Sequence, residues 1–157
     1  MTTLADLYRE VGAALHTAQL AEYNIVSVYV LVSRTGPVTS IQEVEESYWS
    51  KKTLGQLLKP VIDSGRLPED AILFMKTFRN ARNHLAHSFF VSSGELDTSK
   101  GIDSLLREVA AMQDVFERAF QFFDGLLLEL AGPNGIDVDE IKAQARLAVL
   151  DLEGGAA

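Results

Sequence analysis

From Ile102 to Leu130 nine apolar residues (Ile102, Leu105, Val109, Met112, Phe116, Ala119, Phe123, Leu126, Leu130) follow one another at alternating steps of three and four. Only an α-helix gathers residues so spaced on one side; a strand, with its two-residue alternation, would scatter them over both faces. The stretch is a seam of coiled-coil type, about four heptads long, and it needs a partner helix of similar length. From Ala119 the helix is apolar nearly all round, AFQFFDGLLLELA. That run calls for burial on two sides, by neighbouring helices or by a second subunit.

The matching stripe lies at the N-terminus. Leu4, Leu7, Val11, Ala14, Ala18, Ala21, Ile25, Val28 and Val32 recur at three- and four-residue steps behind a cap at Thr2 or Thr3. The β-branched run NIVSVYVLVS would pass alone for a buried strand, but nothing separates it from the helical pattern before it. Gly36-Pro37 ends this helix, and the acidic segment from Val38 to Ser50 reads as loop with a short helix around Glu43 to Tyr48. Thr53 caps a helix with Leu54, Leu57, Leu58, Val61 and Ile62 on its buried side, a kink expected at Pro60 and a stop at Gly65. Leu67-Pro68-Glu69-Asp70 opens a helix expected to run to about Val91, followed by a polar loop to about Gly101. After the turn at Gly132-Pro133-Asn134-Gly135, Asp137 caps a last helix to about Leu152.

These elements predict an all-α chain: an antiparallel bundle of four to five helices, one domain over residues 1–152 with a frayed tail at 153–157. A hydrophobic fraction of 47% in 157 residues supplies one sizeable core. There is no cysteine, hence no disulfide framework and no thiolate zinc site, and the first residues lack the basic flank and apolar core of a secretory signal. The longest charge-free stretch near the N-terminus, Tyr23 to Ser33, is too short to span a bilayer. A cytoplasmic protein with no membrane partner is the expectation.

The net charge of −8 argues against broad, non-specific nucleic-acid binding. Its distribution is uneven. Between Lys51 and Ser92 seven basic residues face three acidic ones, so this segment carries +4 and the remainder −12. Such a segment can steer an anion to one place, or can be ordinary solvated charge on helix faces.

Within it lies Phe78 to Phe90, FRNARNHLAHSFF, which holds two of the three histidines with two arginines and two asparagines. Cleaving RNA through its 2′-hydroxyl needs a group that moves protons near neutral pH and a fixed cation on the phosphate. His87 suits the first task and the planar fork of Arg82 the second, with Asn83 placed to orient phosphate or imidazole. On a helix Arg82 and His87 are separated by about 7.5 Å of rise and about 140° of rotation, so the two need not meet on one phosphate within a single chain. A two-fold dimer would supply both groups twice in one cleft. Arg79 and His84 repeat the same spacing and offer a second register.

Arg82-Asn83 followed by His87, in the context ARNHLAHSFF and after WSKKTLGQLLK, resembles the HEPN superfamily, whose signature is an Arg, usually with a polar residue after it, and a His four to six residues later. The resemblance covers residues 49–90 in sequence and most of the chain in architecture. It implies a helical bundle, a homodimer with motifs facing across the interface, and in many members metal-independent RNA cleavage by the motif residues. Here these are Arg82, Asn83 and His87, with Lys76, Arg79, Asn80 and His84 as flanking substrate-binding groups. Other members have lost catalysis and act as binding or interaction modules. An antitoxin or nucleotidyltransferase partner fits the toxin-type members.

No cofactor or metal is expected: the motif contains no carboxylate, the chain has no Glu-x-x-His pair, and His16 stands alone on the first helix. No Gly-x-Ser-x-Gly elbow or Walker loop is present.

Overall fold

The computed structural model describes residues 2–33, 53–65, 67–92, 96 and 98–134. Among them there are five α-helices and no strand: α1 (Leu4–Ser33), α2 (Leu54–Asp63), α3 (Glu69–His87), α4 (Phe89–Ser92) and α5 (Ser99–Ala131), followed by a 3₁₀ turn, Gly132–Asn134. The all-α expectation holds. The helix expected around Glu43 to Tyr48, the one from Asp137 to Leu152 and the tail at 153–157 lie outside the described residues.

α1, α2 and α5 start where their capping chemistry places them. The Thr3 hydroxyl accepts from the Asp6 backbone N–H at 3.2 Å while the Asp6 carboxylate accepts from the Thr3 backbone at 2.9 Å. Thr53 and Gln56 form the same reciprocal box at the start of α2. Thr98 caps α5 through the Gly101 N–H at 3.0 Å, so that helix begins before the loop boundary expected near Gly101. α2 continues through Pro60, which has no N–H to offer the preceding turn, and ends at Asp63, with Gly65 just past its Ser64 cap at a φ of 66° that suits a residue without Cβ.

α1 and α5 form the largest interface, as their matching stripes require. Leu7, Val11, Ala14, Ala18, Ala21, Ile25 and Val28 are buried on α1, against Ile102, Leu105, Val109, Met112, Phe116, Ala119 and Phe123 on α5. Beyond Phe123 the buried residues are Leu127 and Ala131, not the Leu126 and Leu130 of the heptad. An unsupercoiled helix drifts about 20° per heptad, so four heptads bring about 80°, nearly the angle between consecutive residues. The packed face has moved on by one.

The two helices are parallel, as the first and last of three long helices in an up-down-up arrangement are. Thr2 bonds to Asp103, the Gln113 amide donates to Thr17 at 2.9 Å, and Asn24 reaches Asp124 at 3.5 Å, so positions rise together along both. α3 runs against both, with Phe78 edge-on to Phe116 and Phe74 to Phe122, and with Arg82 beside Glu22. The single return pass through α3 starts α5 at the same end of the bundle as α1.

Candidate nucleic-acid interface

α3 carries the whole motif, and its buried positions explain where each motif residue goes. Ala71, Met75, Phe78 and Leu85 are buried on the helix, and Phe89 follows in α4. The spacing leaves one gap in a regular four-three alternation, and Arg82 fills it. The guanidinium therefore enters at a core register, where a charge is tolerated only with a partner. Glu22 on α1 is that partner: Arg82 Nε donates to Oε1 and Nη2 to Oε2 at 3.4 Å, with side chains 28% and 12% exposed. This fork-to-carboxylate pair occupies the face with which an arginine would grip a phosphate.

His84 lies on the opposite flank, toward α5. Its Nε2 is 2.8 Å from Glu108 Oε1 and its Nδ1 2.8 Å from Ser88 Oγ. The neutral tautomer that satisfies both contacts carries its proton on Nε2, donates to Glu108 and accepts from the Ser88 hydroxyl. Ser88 Oγ also lies 3.2 Å from the His84 carbonyl, and the Ser88 backbone leaves the helical region at φ −128°. The Ser88 N–H still donates to that carbonyl at 2.9 Å, and the turn of the backbone at Ser88 ends α3 at His87, where the sequence predicts continuation to about Val91. Phe89–Ser92 is a separate short turn of helix.

His87 is exposed, and its imidazole has no hydrogen-bond partner among the described residues. Lys76, Asn80 and Asn83 are exposed as well. At 100° per residue these four lie within an arc of about 60°, whereas Arg82 is turned about 140° from His87. The structure thus brings Lys76, Asn80, Asn83 and His87 onto one strip and leaves Arg82 and His87 apart. Neither register, Arg82 with His87 or Arg79 with His84, is assembled within one chain.

Arg79 takes a third direction, toward α2. Gly55, Lys59 and Asp63 of α2 and Lys76 and Arg79 of α3 border a groove of about 240 Å³. Lys59 and Asp63 are paired along α2, while neither Lys76 nor Arg79 has a carboxylate partner among the described residues.

At the far end of the strip, Tyr8 packs at a tilt against Phe90 with ring centroids 5.4 Å apart, and Val91 is 88% exposed. Among the described residues no group of three His, Asp or Glu side chains is clustered for a metal, and no helix is long and apolar enough to cross a membrane.

Sequence reasoning misses Glu22, Glu108 and Ser88. For Glu22 a signal existed: an arginine that completes an apolar alternation demands a carboxylate on the facing helix. For Ser88 the informative relation is four residues back to His84, not adjacency to His87. Glu108 follows only from the packing of α5.

No family model, curated protein or solved structure matches the chain.

Proposed function

We propose that this chain is a HEPN-like RNA-binding module, in which the exposed strip of α3 contacts single-stranded RNA and the motif arginine serves the fold. The observation that carries this reading is the division of labour on α3. Arg82 is engaged by Glu22 and His84 by Glu108 and Ser88, while Lys76, Asn80, Asn83 and His87 stand together in solvent. Amide side chains and an imidazole offer donors, acceptors and a stacking face to unpaired bases, and Lys76 a charge to the backbone. The setting is the cytoplasm, with a second copy, an antitoxin or a nucleotidyltransferase as protein partners.

The test is fluorescence anisotropy with a labelled single-stranded oligoribonucleotide in excess chelator. His87→Ala and Asn83→Ala should weaken binding, and Lys76→Ala should also flatten the salt dependence. Unchanged affinity in all three would remove the strip from the reading.

A second reading, metal-independent endoribonuclease, is favoured by the unbonded, exposed His87 beside the apolar Tyr8, Phe90 and Val91. A second copy docked on that surface would bring a cation to His87 and complete a cleft for cleavage to a 2′,3′-cyclic phosphate. Cut RNA that His87→Ala leaves whole, with a dimer in sedimentation, would establish it. Intact RNA after prolonged incubation with the dimer would discard it.

A further inference from the structure

We infer that the groove between α2 and α3 is a phosphate-binding pocket, taking the phosphate group of a nucleotide or of an RNA chain; in its RNA form this rests on the RNA-binding reading above and names its anchoring subsite.

The argument begins with a contrast between two arginines one turn apart. Arg82 reaches a half-buried position and meets Glu22 there. Arg79 is also half-buried, yet no carboxylate meets it among the described residues. Its Nη1 would stand 3.8 Å from a Cβ built on Gly55, so the guanidinium faces bare backbone across the groove. Lys76, one turn earlier, borders the same space. Asp63, the acidic residue on the border, is neutralised by Lys59 four residues before it. Among the described residues the groove therefore holds two uncompensated cations, one of them a planar fork suited to two phosphate oxygens.

Size narrows the ligand. A volume of about 240 Å³ lies below the roughly 300–1,000 Å³ of sites for drug-sized molecules. It suits a phosphate with its sugar rather than a whole dinucleotide. Position links the pocket to the strip. Lys76 belongs to both, and His87 lies eleven residues on, about 16 Å along α3. A strand anchored by one phosphate at Arg79 would pass Asn80 and Asn83 on its way to His87.

Gly55 gives a test that separates binding from folding. A methyl there meets its nearest neighbour at ordinary van der Waals distance, and alanine is the better helix former. Gly55→Ala should leave the melting temperature equal or higher while narrowing the groove.

The experiment measures adenosine monophosphate binding by calorimetry and binding of a short 5′-phosphorylated single-stranded oligoribonucleotide by anisotropy. Arg79→Ala should lose about tenfold or more, Gly55→Ala several-fold, and Asp63→Asn, which releases Lys59, should tighten binding. Loss confined to the mononucleotide assigns the pocket to free nucleotide, and loss confined to the oligonucleotide assigns it to the RNA chain. Either supports the pocket. Mononucleotide binding that depends on Arg79, without any oligonucleotide binding, keeps the pocket and rejects the RNA reading. If Asn83→Ala and His87→Ala weaken the oligonucleotide while Arg79→Ala and Gly55→Ala change neither ligand, the pocket is overturned and the RNA reading stands. No binding of either ligand by the wild-type protein overturns both.

Discussion

The α1–α5 seam and the C-terminal half of α3 obey the same helical geometry, but their residues answer to different controls. In the seam, position along the heptad decides burial, and the identity of any one apolar side chain matters little to which way the helix faces. On α3, steps of about 60–80° around the axis separate the directions of Arg82 to α1, Arg79 to α2, His87 to solvent and His84 to α5. Repetition fixes a face; a polar constellation depends on what stands opposite each member. The stability of this chain should therefore reside in the seam, and its chemistry in the residues the seam leaves over.

The largest effect should come from removing Phe116, which is fully buried and edge-on to Phe78 at 5.8 Å. Phe116→Ala should cost about 3–5 kcal/mol in urea denaturation, against less than about 0.5 for the exposed Asn83→Ala. Equal costs at the two sites would break the comparison at its root.

Next is the Arg82–Glu22 pair, the one place where α3 places a charge at a core register. Each single truncation to alanine should cost about 1–3 kcal/mol, and the double mutant less than the sum by more than about 0.5, because each partner alone leaves a half-buried charge unmatched. A purely additive double-mutant cycle would show that Arg82 is held by packing of its aliphatic stem rather than by Glu22.

Glu108→Ala should do less. Its side chain is 47% exposed and that of His84 36%, so the clamp between α3 and α5 should contribute below about 1 kcal/mol, and Glu108→Gln, which still accepts from Nε2–H, should be nearly silent. A thermal melt lowered as far as that of Phe116→Ala would place the clamp among the fold's main supports.

The smallest effect is at the α1 cap, where hydrogen bonds from Thr3, with the Arg9 guanidinium nearby, hold the Asp6 carboxyl below the ordinary carboxylate range. A depressed pKa means stability present above the unfolded value of about 3.9 and lost as the pH falls through the folded one. Asp6→Asn should thus be slightly less stable than wild type at neutral pH, and the difference should close on acidification below about pH 3.9. A difference that instead widens in acid would contradict the sign.

The parts of the fold that sequence discloses are those averaged over many residues. The α1 stripe from Leu7 to Val28 and the α5 seam as far as Phe123 are read directly from spacing, as are the caps at Thr3 and Thr53. The shift to Leu127 and Ala131 is hidden because a strict heptad presumes a supercoil, and the parallel course of α1 and α5 is hidden because spacing carries no direction. On α3 the division into a polar strip and a packed face is legible, but the partners are not: Glu22 lies sixty residues from Arg82 and Glu108 twenty-four from His84. The α2–α3 groove is less legible still, since nothing in the spacing of Gly55 and Arg79 says that they face one another.

The parallel course of α1 and α5 also sets the order in which the chain can fold. The polar contacts across their seam join residues 96 to 101 positions apart, a separation unusual for a helical protein, where most contacts are local. On a ribosome the apolar side of α1 must wait, uncovered, until nearly all of α5 has been synthesised. Until then α3 is the only long described helix available to shield it. Refolding should accordingly be slower than for a helical protein of this size whose contacts are mostly local, and nascent α1 is the described helix with most need of a chaperone.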